Sequence, residues 1–204
     1  MHILDEKRKT LKDTSYDDNN KEYMVDSSLE VCDFDEVKNW YVKEKIPFVK
    51  PMPKSNDALF FSDDGIFFIE FKNGYIDNAV NFELFKKIYD SLFILFDLGY
   101  TDMNKHKVNS ISYTRLHMNY ILVYNQNRYC AEKPTRQTTE GFKRQKTTPS
   151  ASLHRDILYK RISNLANEAF IKFGLDQFKN YLFKNVYTYT VEEFIEKFIS
   201  KYTN

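Results

Sequence analysis

Glycine and proline are scarce, five of each in 204 residues, against average usage of about 7% and 5%. So little of either excludes collagen-like and Gly/Pro-rich low-complexity chains and leaves few sharp turns. Cysteine is scarcer still. Cys32 and Cys130 are the only two; neither sits in a Cys-x-x-Cys pair and no secretory signal precedes them, so free thiols in a reducing compartment are expected, with a lone disulfide as the alternative. Nor does either sign of charge dominate. Lys and Arg number 30 and Asp and Glu 29, for a formal charge of +1, so no global field holds the protein on a polyanion and any nucleic-acid contact must be local. The longest apolar stretch, around Leu92 to Phe96, falls far short of the roughly 20 residues of a membrane span. A cytoplasmic protein without membrane contact is expected.

What the chain has in excess is aromatic: 18 Phe and 15 Tyr bring the aromatic share to 17%. With 42% apolar and 29% charged residues, it reads as a globular chain able to bury a core, and a single domain is the default. Residues 1–24 are polar, with Lys7-Arg8-Lys9 and Asp17-Asp18-Asn19-Asn20, and are expected as a peripheral arm ahead of a domain over 25–204. Asp33 and Glu36 have capping-box spacing, and the apolar repeat after them predicts a helix over 34–45. Two aromatic and β-branched runs around Asp64-Gly65 predict a hairpin of strands 57–62 and 66–72. Phe82, Phe85, Ile88, Tyr89, Leu92, Phe93 and Phe96 predict a helix over 81–98, ended by Gly99. A buried strand at 120–124, an aperiodic polar stretch at 125–150, a helix at 153–173, a strand at 184–189 and a Thr190/Glu193-capped helix at 190–202 complete the reading. The fold class expected is α/β, a mixed central sheet flanked by helices, with a core over about 34–124 and an α-rich C-terminal elaboration over about 150–204.

Chemistry is concentrated on the hairpin. A carboxylate two positions before a lysine occurs at Asp5/Lys7, Glu36/Lys38 and Glu70/Lys72, so context must separate them. The first pair lies in the polar segment and the second on a helix, where residues two apart diverge by about 200°. Glu70 and Lys72 share one face of a strand, roughly 6.6 Å apart along the chain. Asp57 joins that face and that end of the hairpin if the loop has an even length. A two-residue Asp64-Gly65 turn sets Asp57 opposite Lys72; a four-residue loop over 62–65 sets it opposite Glu70; a plain three-residue loop turns it away. Two close carboxylates beside an ammonium suit Mg²⁺ or Mn²⁺, with the Phe71 carbonyl as a further oxygen ligand. Such an ion acidifies bound water and stabilises charge on an attacked phosphate.

Asp57 followed by Glu70-Phe71-Lys72 on a hydrophobic strand resembles the PD-(D/E)xK nuclease superfamily, the restriction-endonuclease-like proteins common in phages and mobile elements. The family's order of helix, three strands, helix and strand fits residues 34–124, and Asn56 stands where the family's motif has proline. The resemblance implies that Asp57 and Glu70 bind metal and that Lys72 assists the nucleophilic water. It also implies that an acidic residue of the first helix region, Glu36 or Glu30, adds to the site. The function expected is metal-dependent phosphodiester hydrolysis of nucleic acid, DNA ahead of RNA, by a protein that can act as a homodimer.

Blander readings stand beside these. Asp57, Glu70 and Lys72 also fit a solvated strand-end cluster, or a silent nuclease-like module that binds nucleic acid or protein, such as an immunity factor. Arg128, Lys133, Arg136, Lys143, Arg144 and Lys146 are candidate phosphate contacts, or an ordinary solvated loop. Lys86 and Lys87 share that ambiguity, a solvated helix face coming before a phosphate contact. His2, His106, His117 and His154 lack ligand spacing. Tyr113, Tyr120 and Tyr124 read as core before base-stacking platforms. The aromatic C-terminal third offers a third reading, a structural protein using it as an interface.

Overall fold

The computed structural model describes residues 2–100, 108–131 and 171–203. Along the chain run α1 (Ile3–Glu6), β1 (Arg8–Thr10), α2 (Leu11–Thr14), β2 (Tyr16–Asp17), β3 (Glu22–Tyr23) and β4 (Glu30–Asp33). Then come α3 (Phe34–Lys45), β5 (Ala58–Ser62), β6 (Gly65–Lys72), α4 (Asn78–Asp97), α5 (Ile111–His117), β7 (Met118–Tyr124) and α6 (Gln126–Ala131). A 3-10 turn, Leu175–Phe178, precedes β8 (Asn185–Thr190) and a final helix, α7, which begins as Val191–Phe194, passes through a π-helical turn, Ile195–Ile199, and ends in Ser200–Tyr202. Among the described residues, no helix is long and apolar enough to cross a membrane.

The fold is α/β. Its six-stranded mixed sheet has the order β1-β4-β5-β6-β7-β8, antiparallel from β1 to β6 and parallel from β6 to β8. Strand β6 is therefore the seam between the two halves. Period-2 alternation divides its side chains between two layers. Ile66 and Phe68 enter a core with α3 and α4, built around Phe34, Val37, Leu84, Ile88, Leu92 and Tyr120. Phe67, Ile69 and Phe71 enter the opposite core with Leu11, Phe194, Phe198 and Ile199. Phe198 meets Phe60 and Phe67 edge-on at 5.5 and 5.2 Å, so these C-terminal aromatics are core rather than a free interface. Helix starts are capped by side chains: Asp33 accepts from the Glu36 amide at 3.0 Å and Asp77 from the Val80 amide at 2.9 Å. Thr190 and Glu193 form the expected reciprocal box.

Several expectations are corrected. Residues 2–24 are no peripheral arm. Leu4 and Leu11 are fully buried, β1 pairs with β4, and elements of two to four residues are too short to display a period. The Asp33/Glu36 box is only half made, since the Glu36 side chain pairs with Lys7 at 3.9 Å. Only two strands, β5 and β6, separate α3 from α4; the third antiparallel neighbour, β4, precedes α3. On α4 the buried face runs through Leu84, Ile88, Ser91, Leu92 and Leu95, which leaves Phe82 and Phe93 each 68% exposed. The strand expected at 184–189 is β8 (Asn185–Thr190), and it brings the C-terminal portion into the central sheet, in parallel with β7. The helix expected at 153–173 lies, up to residue 170, outside the described residues.

Candidate active site

The hairpin register decides whether the site assembles. Ser62 pairs with Gly65 and Ala58 with Ile69, leaving Asp63-Asp64 as the turn. One step further, this register sets Asp57 opposite Glu70, the arrangement expected of the longer even loop. The Phe71 amide donates to Asp57 Oδ2 at 2.7 Å and fixes that carboxylate against β6. Phe71 lines the cleft, and its contact to the cluster runs through this N–H.

Glu70 belongs to the apolar face of Ile66 and Phe68 and is completely buried. A buried carboxylate needs compensation, and two lysines supply it. Lys72 lies 2.8 Å and Lys87 2.6 Å from the same oxygen, Glu70 Oε1. Lys87 also donates to Asp57 Oδ1 at 3.0 Å, so its ammonium bridges the two carboxylates. Burial, then the charge of Glu70, pushes Asp57 up to about 6 despite Lys87 and Lys72. Burial alone would lower Lys87, but Asp57 and Glu70 outweigh it and hold the lysine charged, with its pKa raised. Nearby Tyr120 is raised by burial and by the same two carboxylates.

Lys87 is the residue the sequence reading misplaced. It is not on a solvated face: its side chain is only 16% exposed, three residues after buried Leu84 and four before buried Ser91. That spacing becomes a signal only once Leu84, and not Phe82, is known to face the sheet. Its neighbour Lys86 does take the outer position and pairs with Asp90.

The cluster opens onto a cleft of about 570 Å³. Asp57, Lys72 and Lys87 line it from the sheet and α4, Asp35 from α3, and Asp17 and Asp18 from the β2–β3 hairpin. Neither acid expected from the first helix region is there. Consecutive helical residues point about 100° apart, so Asp35 faces the cleft, held by Lys38 at 3.3 Å and by Ser55, while Glu36 faces Lys7. Glu30 is exposed at the start of β4, opposite Thr10. Arg128 does not offer a free cationic head to phosphate, because it pairs with Glu22 at 2.8 Å and donates to Asn20 at 2.7 Å. Lys133, Arg136, Lys143, Arg144 and Lys146 lie outside the described residues, as do His106 and His154. His2 caps α1, accepting from the Leu4 amide. Tyr120 and Tyr124 are core. Tyr113 and His117 line a second cleft, of about 470 Å³, at the turn end of the hairpin.

Among the described residues, no group of three or more His, Cys, Asp and Glu side chains is placed to hold a metal ion. A hard cation nonetheless fits the donor set. Glu70 Oε2 is buried with no hydrogen-bond partner, and Asp57 supplies a second carboxylate. Mg²⁺ commonly takes one or two carboxylates and completes its shell with water and substrate phosphate oxygens. Comparison with known proteins returns no match to any protein family, curated protein or solved structure.

Proposed function

We propose that this protein is a metal-dependent nuclease that hydrolyses phosphodiester bonds in nucleic acid, DNA ahead of RNA, with Mg²⁺ or Mn²⁺ held by Asp57 and Glu70. The observation that carries the reading is the partnerless, fully buried Glu70 Oε2 beside Asp57 and Lys72 at the head of an open cleft. A carboxylate oxygen in such a place costs stability unless it has a ligand to meet. An ion held by Asp57 and Glu70 would supply Lewis acidity, acidifying bound water and offsetting charge on the attacked phosphate.

The chain's own groups supply position. The Phe71 amide orients Asp57, and Glu70 Oε1 holds the Lys72 ammonium 2.8 Å away at the cleft wall. From there Lys72 orients the attacking water and steadies the phosphate as the P–O bond to the leaving nucleotide breaks. Homodimerisation and a cytoplasmic setting belong to the same reading.

The test is cleavage of linear, circular and single-stranded DNA, and of RNA, with Mg²⁺, Mn²⁺ or chelator, by wild type and by folded Glu70→Ala and Lys72→Ala. Metal-dependent cutting lost in both variants supports the reading. A second reading, a catalytically silent binding module, is favoured by one observation: the charges of Asp57, Glu70, Lys72 and Lys87 cancel without any ion. Salt-sensitive binding with no cutting under any metal would select it.

A further inference from the structure

We propose that Lys87 is the resident counter-cation of this cleft, which a divalent ion must displace, so that metal loading is coupled to the arrival of a phosphodiester. The inference rests on the metal-dependent reading above and adds a regulatory, substrate-positioning role for a residue that reading does not use.

Three observations converge on it. First, Lys87 Nζ occupies the space between the carboxylates, 3.0 Å from Asp57 Oδ1 and 2.6 Å from Glu70 Oε1. An ion drawing on both carboxylates competes for that space. Second, the cluster is already neutral, and Glu70 Oε1 already serves two ammonium groups. A dication added beside them meets repulsion at short range in a poorly solvated site. Third, the two lysines are placed differently. Lys72 leaves β6 and contacts only Glu70 within the cluster. Lys87 stands on α4 and lines the cleft from across the site, on a long stem whose ammonium can turn to a new anion without moving the backbone.

A phosphodiester entering the cleft provides that anion. Its non-bridging oxygens draw Lys87 away from Asp57 and Glu70, and its negative charge offsets the incoming dication. The free protein therefore holds metal weakly, and the protein with a phosphodiester bound holds it well. Lys87 acts as a positioning residue, releasing the carboxylates and gripping the phosphate in one movement.

The experiment titrates Mn²⁺ into the full-length protein and reads free Mn²⁺ by electron paramagnetic resonance, with and without a thymidine dinucleoside phosphorothioate as the phosphodiester probe. Without the probe, Lys87→Gln should bind Mn²⁺ at least about tenfold more tightly than wild type, while Lys87→Arg should match wild type. The probe should tighten wild-type binding about tenfold and leave Lys87→Gln nearly unchanged. Glu70→Gln should abolish binding in every background. If Lys87→Gln unfolds, Lys87→Met, which retains the apolar stem volume, takes its place. Saturable binding of equal strength in wild type and both neutral variants overturns the proposal and leaves the metal reading standing. Absence of binding in folded wild type and folded neutral variants, with and without the probe, overturns both.

Discussion

The side-chain amide of Asn73 donates to Asp17 Oδ2 at 2.9 Å, tying the residue after Lys72 to the β2–β3 hairpin. The same nitrogen reaches Glu22 at 2.7 Å, and Asn73 Oδ1 accepts from Asn125 at 2.8 Å. One nearly buried amide thus joins the ends of β6 and β7 to the segment that walls the cleft.

Asn73→Ala should loosen that wall without disturbing the hairpin that carries Glu70. Loss of these bonds is expected to cost about 1–3 kcal/mol. Hydrogen exchange should rise at residues 16–23 and stay unchanged in β5 and β6, with urea unfolding giving the total.

Glu70→Gln should abolish metal-dependent cutting and also destabilise the fold, by about 3 kcal/mol or more, because it leaves the Lys87 ammonium buried without Glu70's charge. Pairing Glu70→Gln with Lys87→Met should restore part of that loss. A double-mutant cycle in urea measures the coupling; additive losses would contradict the bridge described here.

Gly65 has φ +132°, and a Cβ there would lie 2.6 Å from the His117 carbonyl oxygen. Backbone stands on both sides of the clash, so a side-chain rotation cannot relieve it. Gly65→Ala is expected to cost about 2 kcal/mol, a fall of about 4–8 °C in melting temperature for a chain of this size. Calorimetry checks it.

Asp57, Glu70 and Lys72 were legible because strand periodicity has a fixed value of two, and an even-length turn brings all three to one face whatever its type. Helix α3 was legible from its cap and apolar spacing, and the order of β5, β6, α4 and β7 followed from pattern. Lys87 was not, because α4 is apolar around much of its circumference. Choosing between Phe82 and Leu84, or Lys86 and Lys87, as the inward position depends on which face docks on the sheet. Leu4 and Leu11 were invisible for another reason: Leu11 is one apolar residue in a polar run, Leu4 and its neighbour Ile3 make an apolar pair too short to show a period, and all three are buried beside β1, the segment between them that pairs with β4. Asp35 took the place expected of Glu36 through a one-residue rotation that spacing alone does not fix.

Burial pushes the Cys32 thiol from its ordinary 9.0 up to about 12, and burial likewise raises Tyr189 to about 12. Between these values the unfolded thiol has lost its proton while the native one keeps it. Stability from Cys32 is therefore complete below pH 9 and declines by up to about 1.4 kcal/mol per pH unit as pH rises toward 12. Cys32→Ala should flatten part of this decline and leave the part that comes from the tyrosines raised by burial, Tyr189 and Tyr120 among them. Urea unfolding at stepped pH measures the slope, and alkylation followed by peptide mass spectrometry should find Cys32 unreactive in native protein at pH 8.

The two-residue turn at Asp63-Asp64 also limits how this chain can change length. Removing one residue from β5 between the turn and Asp57 would shift that carboxylate to the opposite layer, facing Phe194 and Phe198, while Glu70 and Lys72 stayed behind. A viable deletion must be matched on both strands and come in twos if Leu59 and Phe68 are also to keep their layer. Descendants of this chain are thus free to vary the tip of the hairpin, but along its two arms they inherit length in even, paired steps.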